Sequence, residues 1–327
     1  MLARRMLAKA ALLLMLGVVP AAADDAANFP TRPIKIVVAF PPGGGPDPLV
    51  RIVAAGLEKR LGQPVIIENM PGASGSLAAR NVIRSAPDGY TLLFTDMSFV
   101  VAPLVNENYG VDPLKDFKPI GWAAAAPFTF IMSTTVPAAN VAEFVKLAKA
   151  DPEKIIIGHT GVGTTPYLGA LAFATSADIK PRMVPYRGSA DATSNAMTGI
   201  ISGLFSAAST AIGVQGNDKV RVMGVTGETR LPQLPNVPTF AESNIKMPGF
   251  EYGAWFGLVA AAGTPDAIVD KINAKLNDMK DDQETKARFA ASGAEFKGGS
   301  AAQFRDFLAE QNSVWRSALQ KEGVKLQ

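Results

Sequence analysis

The stretch Ile34-Lys35-Ile36-Val37-Val38-Ala39-Phe40, followed at once by Pro41-Pro42-Gly43-Gly44-Gly45-Pro46-Asp47, decides the fold. The first seven residues are almost continuously apolar and rich in β-branched side chains, the pattern of a strand buried on both faces of a parallel sheet. Prolines and glycines then end the strand, and Leu49, Ile52, Val53 and Leu57 recur at helical spacing up to a stop at Gly62. A buried strand, a glycine loop and a helix make the opening half of a strand–helix–strand unit.

The same grammar continues on both sides of that unit. Residues 65–67 predict a short strand, 77–83 a helix and 90–95 (YTLLFT) another strand, so strand and helix alternate as in an α/β sheet. Further on, residues 128–132 predict a strand. Asn140 with Glu143 forms a variant capping box that opens a helix through Ala150. Residues 155–158 form a buried strand before a second small-residue loop (159–165) and a helix carrying Leu168, Leu171 and Ala172. Further αβ units run to Thr226. Residues 231–248 are interrupted by prolines and predict extended chain with short helical turns. Residues 254–260 (AWFGLVA) return to a strand, and helices over 265–278, 283–291 and 301–320 close the chain.

The first residues are an address. Arg4, Arg5 and Lys9 precede an apolar run over 10–19, and Ala21-Ala22-Ala23 offers a cleavage site, so residues 1–23 are expected to be a signal peptide. Of 32 basic and 29 acidic residues, the signal removes three basic ones and no acid, leaving 29 of each. A formally neutral mature chain lacks the cationic surplus that nucleic acid or an anionic membrane would require. The chain has no cysteine, which excludes disulfides, iron–sulfur clusters, thiolate zinc sites and a Cys nucleophile. About 300 mature residues lie where single cores divide, so two lobes are expected.

Two loops carry the strongest local chemistry. In the first, Pro42, Gly43, Gly44, Gly45, Pro46 and Asp47 link a buried strand to a helix, where main-chain N–H groups and a helix amino terminus can hold an anion. In the second, Thr160, Gly161, Val162, Gly163, Thr164 and Thr165 follow His159 in the same setting. Neither loop meets the phosphate-binding or dinucleotide patterns, because Pro48 and Pro166 stand where the third glycine belongs. A tight turn without a ligand explains either loop alone; two in separate halves suggest a ligand between two helix ends. Ser74 in PGASGS (71–76) misses the nucleophile-elbow spacing, and His159 is the chain's one histidine. The acids Asp47, Asp96, Asp112 and Asp116 are scattered, and caps or solvated charges explain most of them; Asp96 is kept as a ligand candidate with Asp47 and Ser74. No metal motif is met, and no cofactor or metal is expected.

Taken together, FPTRPIKIVV (29–38), FPPGGGPD (40–47) with Arg51, LGQPV (61–65), PGA (71–73), PDGYTL (87–92), LKDF (114–117), VPYRG (184–188), PNVPTFAE (235–242) and GTP (263–265) resemble the Bug family. These are the extracytoplasmic binding proteins of tripartite tricarboxylate transporters, and the likeness covers essentially the whole mature chain. The resemblance implies a two-lobe, type II periplasmic binding fold of Venus-flytrap form. It also implies that loops 42–47 and 160–165 grip a ligand carboxylate by main chain and water. Where the family reads Gly-Gly-(Gln/Glu)-Val-Asp-Leu, this chain has Thr198-Gly199-Ile200-Ile201-Ser202-Gly203, just ahead of family ligand contacts around Phe205, Ser206 and Ala207.

The expected protein is therefore a periplasmic, monomeric, non-enzymatic receptor with lobe one over 28–126 plus 251–327 and lobe two over 127–250. It would capture a small carboxylate and deliver it to a membrane permease. A sensor module feeding a receptor kinase, and a hydrolase using Ser74 with His159, are the alternatives. Arg187, after Tyr186, is the basic side chain considered for the cleft mouth.

Overall fold

The computed structural model describes residues 27–251 and 253–321; the expected signal segment lies outside them. The opening stretch forms β1 (Ile34–Val38), buried on both faces and shorter than the apolar run, so Ala39 and Phe40 leave the sheet. Next come α1 (Asp47–Leu61), β2 (Val65–Asn69), α2 (Ser76–Arg84), β3 (Thr91–Asp96) and α3 (Ser98–Val105). Gly62 ends α1 in the left-handed region, at φ 69°, with its N–H on the Glu58 carbonyl.

β1 pairs in parallel with β2 and β3, and the sheet is extended by antiparallel strands. These are β4 (Phe117–Ala126), β10 (Ala254–Ala261) and β11 (Glu295–Phe296), in the order β11-β4-β10-β3-β1-β2. The sequence reading assigned no strand to β4, whose alanine run and Pro119 hide it. Pro119 is tolerated because β11 pairs only with Ala124 and Ala125, leaving that end of β4 as a sheet edge.

The second sheet holds β5 (Phe128–Ser133), β6 (Ile156–His159), β7 (Arg182–Pro185), β8 (Gly203–Ala207) and β9 (Val220–Val225) in the order β7-β6-β8-β5-β9. Again three strands, β7, β6 and β8, run parallel, and β5 and β9 are antiparallel to their neighbours. Four helices belong to this part: α4 (Val141–Ala150), α5 (Thr165–Ala177), α6 (Ser189–Met197) and α7 (Ala208–Gly213). The Asn140 side chain caps α4 as predicted, accepting from Glu143 N–H at 2.9 Å, while Glu143 reaches back one residue further than expected, to Ala139 N–H. Its core is an aromatic cluster: the Phe130 ring lies 5.0 Å from those of Phe144 and Phe205 and 5.4 Å from Phe173.

The chain passes between the two sheets at Pro127 and again over the proline-rich segment that follows β9. That segment is mostly irregular, with one short helical turn at Ala241–Ser243. The crossings are stitched together: Phe128 N–H donates to Thr226 Oγ1 at 2.7 Å, and Thr226 N–H to the Phe128 carbonyl at 2.8 Å. Gly253 completes the junction at φ 69°, where an added Cβ would stand 2.3 Å from the Ala126 carbonyl oxygen. After β10, the helices α8 (Asp266–Asn277), α9 (Gln283–Ala291) and α10 (Ala301–Lys321) pack back on the first sheet. Among the described residues no helix is long and apolar enough to cross a membrane.

Candidate functional site

The parallel strands of the two sheets end on the same gap. The loops after β1, β2 and β3 face those after β6, β7 and β8 across a cavity of about 420 Å3, the place where open α/β sheets bind ligands. Of the expected site residues, Gly44, Gly45, Pro46, Ser74 and Asp96 line it from the first sheet. Thr160, Thr164 and Thr165 line it from the second. Phe40, Phe99, Phe128 and Phe256 supply apolar wall.

The others lie outside the lining. Pro42 and Gly43 form the exposed outer turn of their loop. Asp47 turns back along α1 to pair with Arg51 at 2.8 Å. Gly161 donates its N–H to His159 Nδ1 and accepts from Thr164 Oγ1 at 2.6 Å. Val162 offers its carbonyl to Ser74, and Gly163 packs on α3, its Cβ position 2.8 Å from Ala102 Cα. Ser206 is fully buried and bonds Thr210 Oγ1. Ser202, in place of the family's acid, accepts from Ile156 N–H at 3.0 Å and so ties β6 to β8. Ile200 is exposed on the surface.

The anticipated anion clamp at the start of α1 is not available. Pro46 and Pro48 have no N–H, Asp47 N–H is taken by the Gly44 carbonyl, and Leu49 N–H by the Pro46 carbonyl. Gly45 N–H remains in that loop as a donor lining the cavity, without a protein partner among the described residues. At the start of α5 the Thr165 N–H donates to Ser98 Oγ at 3.3 Å, and Thr165 Oγ1 donates to Asp96 Oδ2 at 2.7 Å. The Asp96 carboxyl thus lies beside that helix end, held by the Thr165 hydroxyl. Burial pushes its carboxyl above the usual range, and burial together with the Asp96 charge pushes the nearby Tyr109 phenol up.

Sequence reasoning considered Arg187 for the cleft mouth but missed the other residues of the loop after β7. Tyr186, Gly188 and Ser189 line the cavity beside Arg187, which is exposed and has no acidic partner among the described residues. Gly188 is the N-cap of α6 and leaves its first turn without a side-chain cap. The signal was a glycine followed by serine ahead of a small-residue helical run, a third loop of the kind already recognised twice.

The two halves touch directly around this cavity. Ser74 Oγ donates to the Val162 carbonyl at 2.9 Å, and Ser209 Oγ to the Gly45 carbonyl at 2.7 Å. Ala73 and Ser74 both sit at positive φ, 47° and 51°, a costly conformation for non-glycine residues that holds Ser74 toward the other half. Because Ser74 donates to Val162, the hydrogen bond to His159 on which a serine hydrolase would be built is not made. Among the described residues no group of three or more acidic or histidine side chains could hold a metal.

His159 is buried at the end of β6, edge-on to Tyr167, and burial pushes its imidazole below the ordinary value. The unfolded chain therefore binds the extra proton in the window between the lowered folded value and about pH 6.5. Stability should rise with pH through that window, by up to ~1.4 kcal/mol per pH unit, and this contribution should level off both above it and below it, where the two states bind the same number of protons. Asp96 contributes in the opposite sense, since its raised carboxyl favours the folded state as pH falls toward the ordinary carboxylate value of 3.8. Urea titrations at a series of pH values should show the His159 slope removed in His159→Asn; an unchanged slope would show that the imidazole is not the group responsible.

The profile of the tripartite tricarboxylate transporter family receptors (TctC) matches residues 49–324. The chain belongs to that family. The receptor is 32% identical over 326 residues to a Cupriavidus necator protein of the UPF0065 group encoded in the gbd 5′ region, covering 99% of this chain and 97% of that one. The solved structure of the periplasmic binding protein BugD superposes with a TM-score of 0.85 at 30% identity, covering 91% of the receptor and all of BugD. MatC of Rhodopseudomonas palustris, solved with bound malate, gives 0.81 at 30% identity over 88% of the receptor and 99% of MatC. The receptor shares their two-lobe binding-protein fold, and the cavity lies between its lobes.

Proposed function

We propose that this receptor captures a small carboxylate in the cleft between lobe one (28–126 plus 251–327) and lobe two (127–250) and passes it, as a periplasmic monomer, to the membrane subunits of a tripartite transporter. The observation that carries the reading is the cavity itself: six strand ends from two sheets converge on it, and polar groups from both lobes share its wall. The malate held by MatC supports a carboxylate as the solute class. Gly44, Gly45, Pro46, Ser74, Asp96, Thr160, Thr164 and Thr165 are the ligand-side residues of this proposal, joined by Tyr186, Arg187, Gly188 and Ser189. A closed cleft lets uncharged donors do this, because hydrogen bonds to a carboxylate strengthen when water is excluded.

Native mass spectrometry of protein taken from the periplasm without refolding should show a small adduct that denaturation releases. Calorimetry against a carboxylate panel should then give a one-to-one isotherm, and small-angle scattering a more compact protein with the bound ligand. No adduct, and no heat from any carboxylate, would remove the proposal.

A further inference from the structure

Among the described acidic residues, Asp96 combines near-complete burial, 4% exposed, with a place on the cavity wall. Its carboxylate accepts from Ser98 N–H at 3.0 Å and from Thr165 Oγ1 at 2.7 Å, both uncharged donors. A carboxylate can accept roughly four hydrogen bonds. No lysine, arginine or histidine pairs with it among the described residues. Arg80, on the neighbouring α2, instead donates to the carbonyls of Asn108 and Tyr109, at 2.7 Å each. A buried carboxylate without a cation is costly, and it lies here where a ligand must go. A second carboxylate brought against it would meet like charge in a low-dielectric site, whereas an ammonium would complete an ion pair. Arg187, on the wall supplied by lobe two, is the complementary unpaired charge.

We propose that Asp96 determines the polarity of the solute: a hydrogen-bond-donating group, an ammonium above all, faces Asp96, and the solute's carboxylate faces the wall carrying Arg187 and the start of α6. The preferred solute is then an amino-carboxylate, and dicarboxylates are selected against by Asp96 itself. This rests on the cleft being the solute site.

The test is calorimetry on the full mature receptor with length-matched probes: γ-aminobutyrate against succinate, and ε-aminocaproate against adipate. In the native protein the amino-carboxylate of at least one pair should bind at least about tenfold tighter than its dicarboxylate partner. In Asp96→Asn, which keeps the shape and removes the charge, that ratio should collapse or invert. Because the readout is a ratio within one protein, a general loss of affinity in the variant does not imitate the result. Tighter binding of the dicarboxylates by the native receptor, or a ratio unchanged by Asp96→Asn, overturns the assignment of Asp96 while leaving the carboxylate reading in place. Binding of no probe by the native receptor, in the absence of a carboxylate adduct in native mass spectrometry, overturns both.

Discussion

Gly45→Val is expected to weaken ligand binding by more than about tenfold, a loss above ~1.4 kcal/mol, while the melting temperature without ligand changes little. The reason is where Gly45 meets the other lobe. A Cβ there would stand 2.9 Å from Ala207 Cβ and 3.2 Å from Thr210 Oγ1. Both neighbours belong to lobe two, and Ser209 from the same segment donates to the Gly45 carbonyl at 2.7 Å. Parting the lobes relieves the crowding, so the cost falls on closure rather than on folding. Gly43 provides the contrast: it sits at φ 72° with nothing within 4 Å of its Cβ position. Gly43→Ala should therefore cost about 1 kcal/mol of stability through backbone strain and leave affinity nearly unchanged. Calorimetric affinities and unfolding curves on the two variants separate the effects. Native-like binding by Gly45→Val would mean that the lobes do not close through this contact.

The largest expected loss of stability is at Phe130. Its ring is fully buried on β5 and packs against Phe144, Phe173 and Phe205. Those partners come from α4, α5 and β8, so one side chain joins three further elements of lobe two. Phe130→Ala should cost about 3–5 kcal/mol, the transfer term plus a cavity that a strand fixed on both sides cannot collapse. β5 is held by β8 on one side and β9 on the other. Denaturant unfolding should show this as a lower midpoint, with lobe two losing structure first if the lobes unfold separately. A loss below about 1 kcal/mol would show that the cluster repacks, as cores do when volume can be redistributed.

Much of the fold was legible because it depends on short-range patterns. The apolar run at 34–40, the spacing of Leu49, Ile52, Val53 and Leu57, the stop at Gly62 and the cap at Asn140 each act within a turn or a strand, and the structure contains each of them. β4 was illegible because alanines with a proline carry little strand signal; its identity comes from lying between β10 and β11. The blocked amino end of α1 could have been counted beforehand. Pro46 and Pro48 announce two missing donors, and the claim that a helix start offers free N–H groups fails wherever proline occupies it.

By itself the sequence determined the alternation of strand and helix, the positions of the glycine loops and the absence of thiolate or metal motifs, because these follow from residue type and local spacing. The tertiary structure alone decided which loops meet. Asp96 reaches Thr165 across 69 positions of chain, and Ser209 reaches Gly45 across 164. Contacts at such separations depend on how two sheets close over a shared junction, which no local pattern encodes. Asp96 is an ordinary strand-end acid in the sequence. In the structure it is a buried carboxylate that accepts from Thr165 of the other lobe, with no cation paired to it among the described residues.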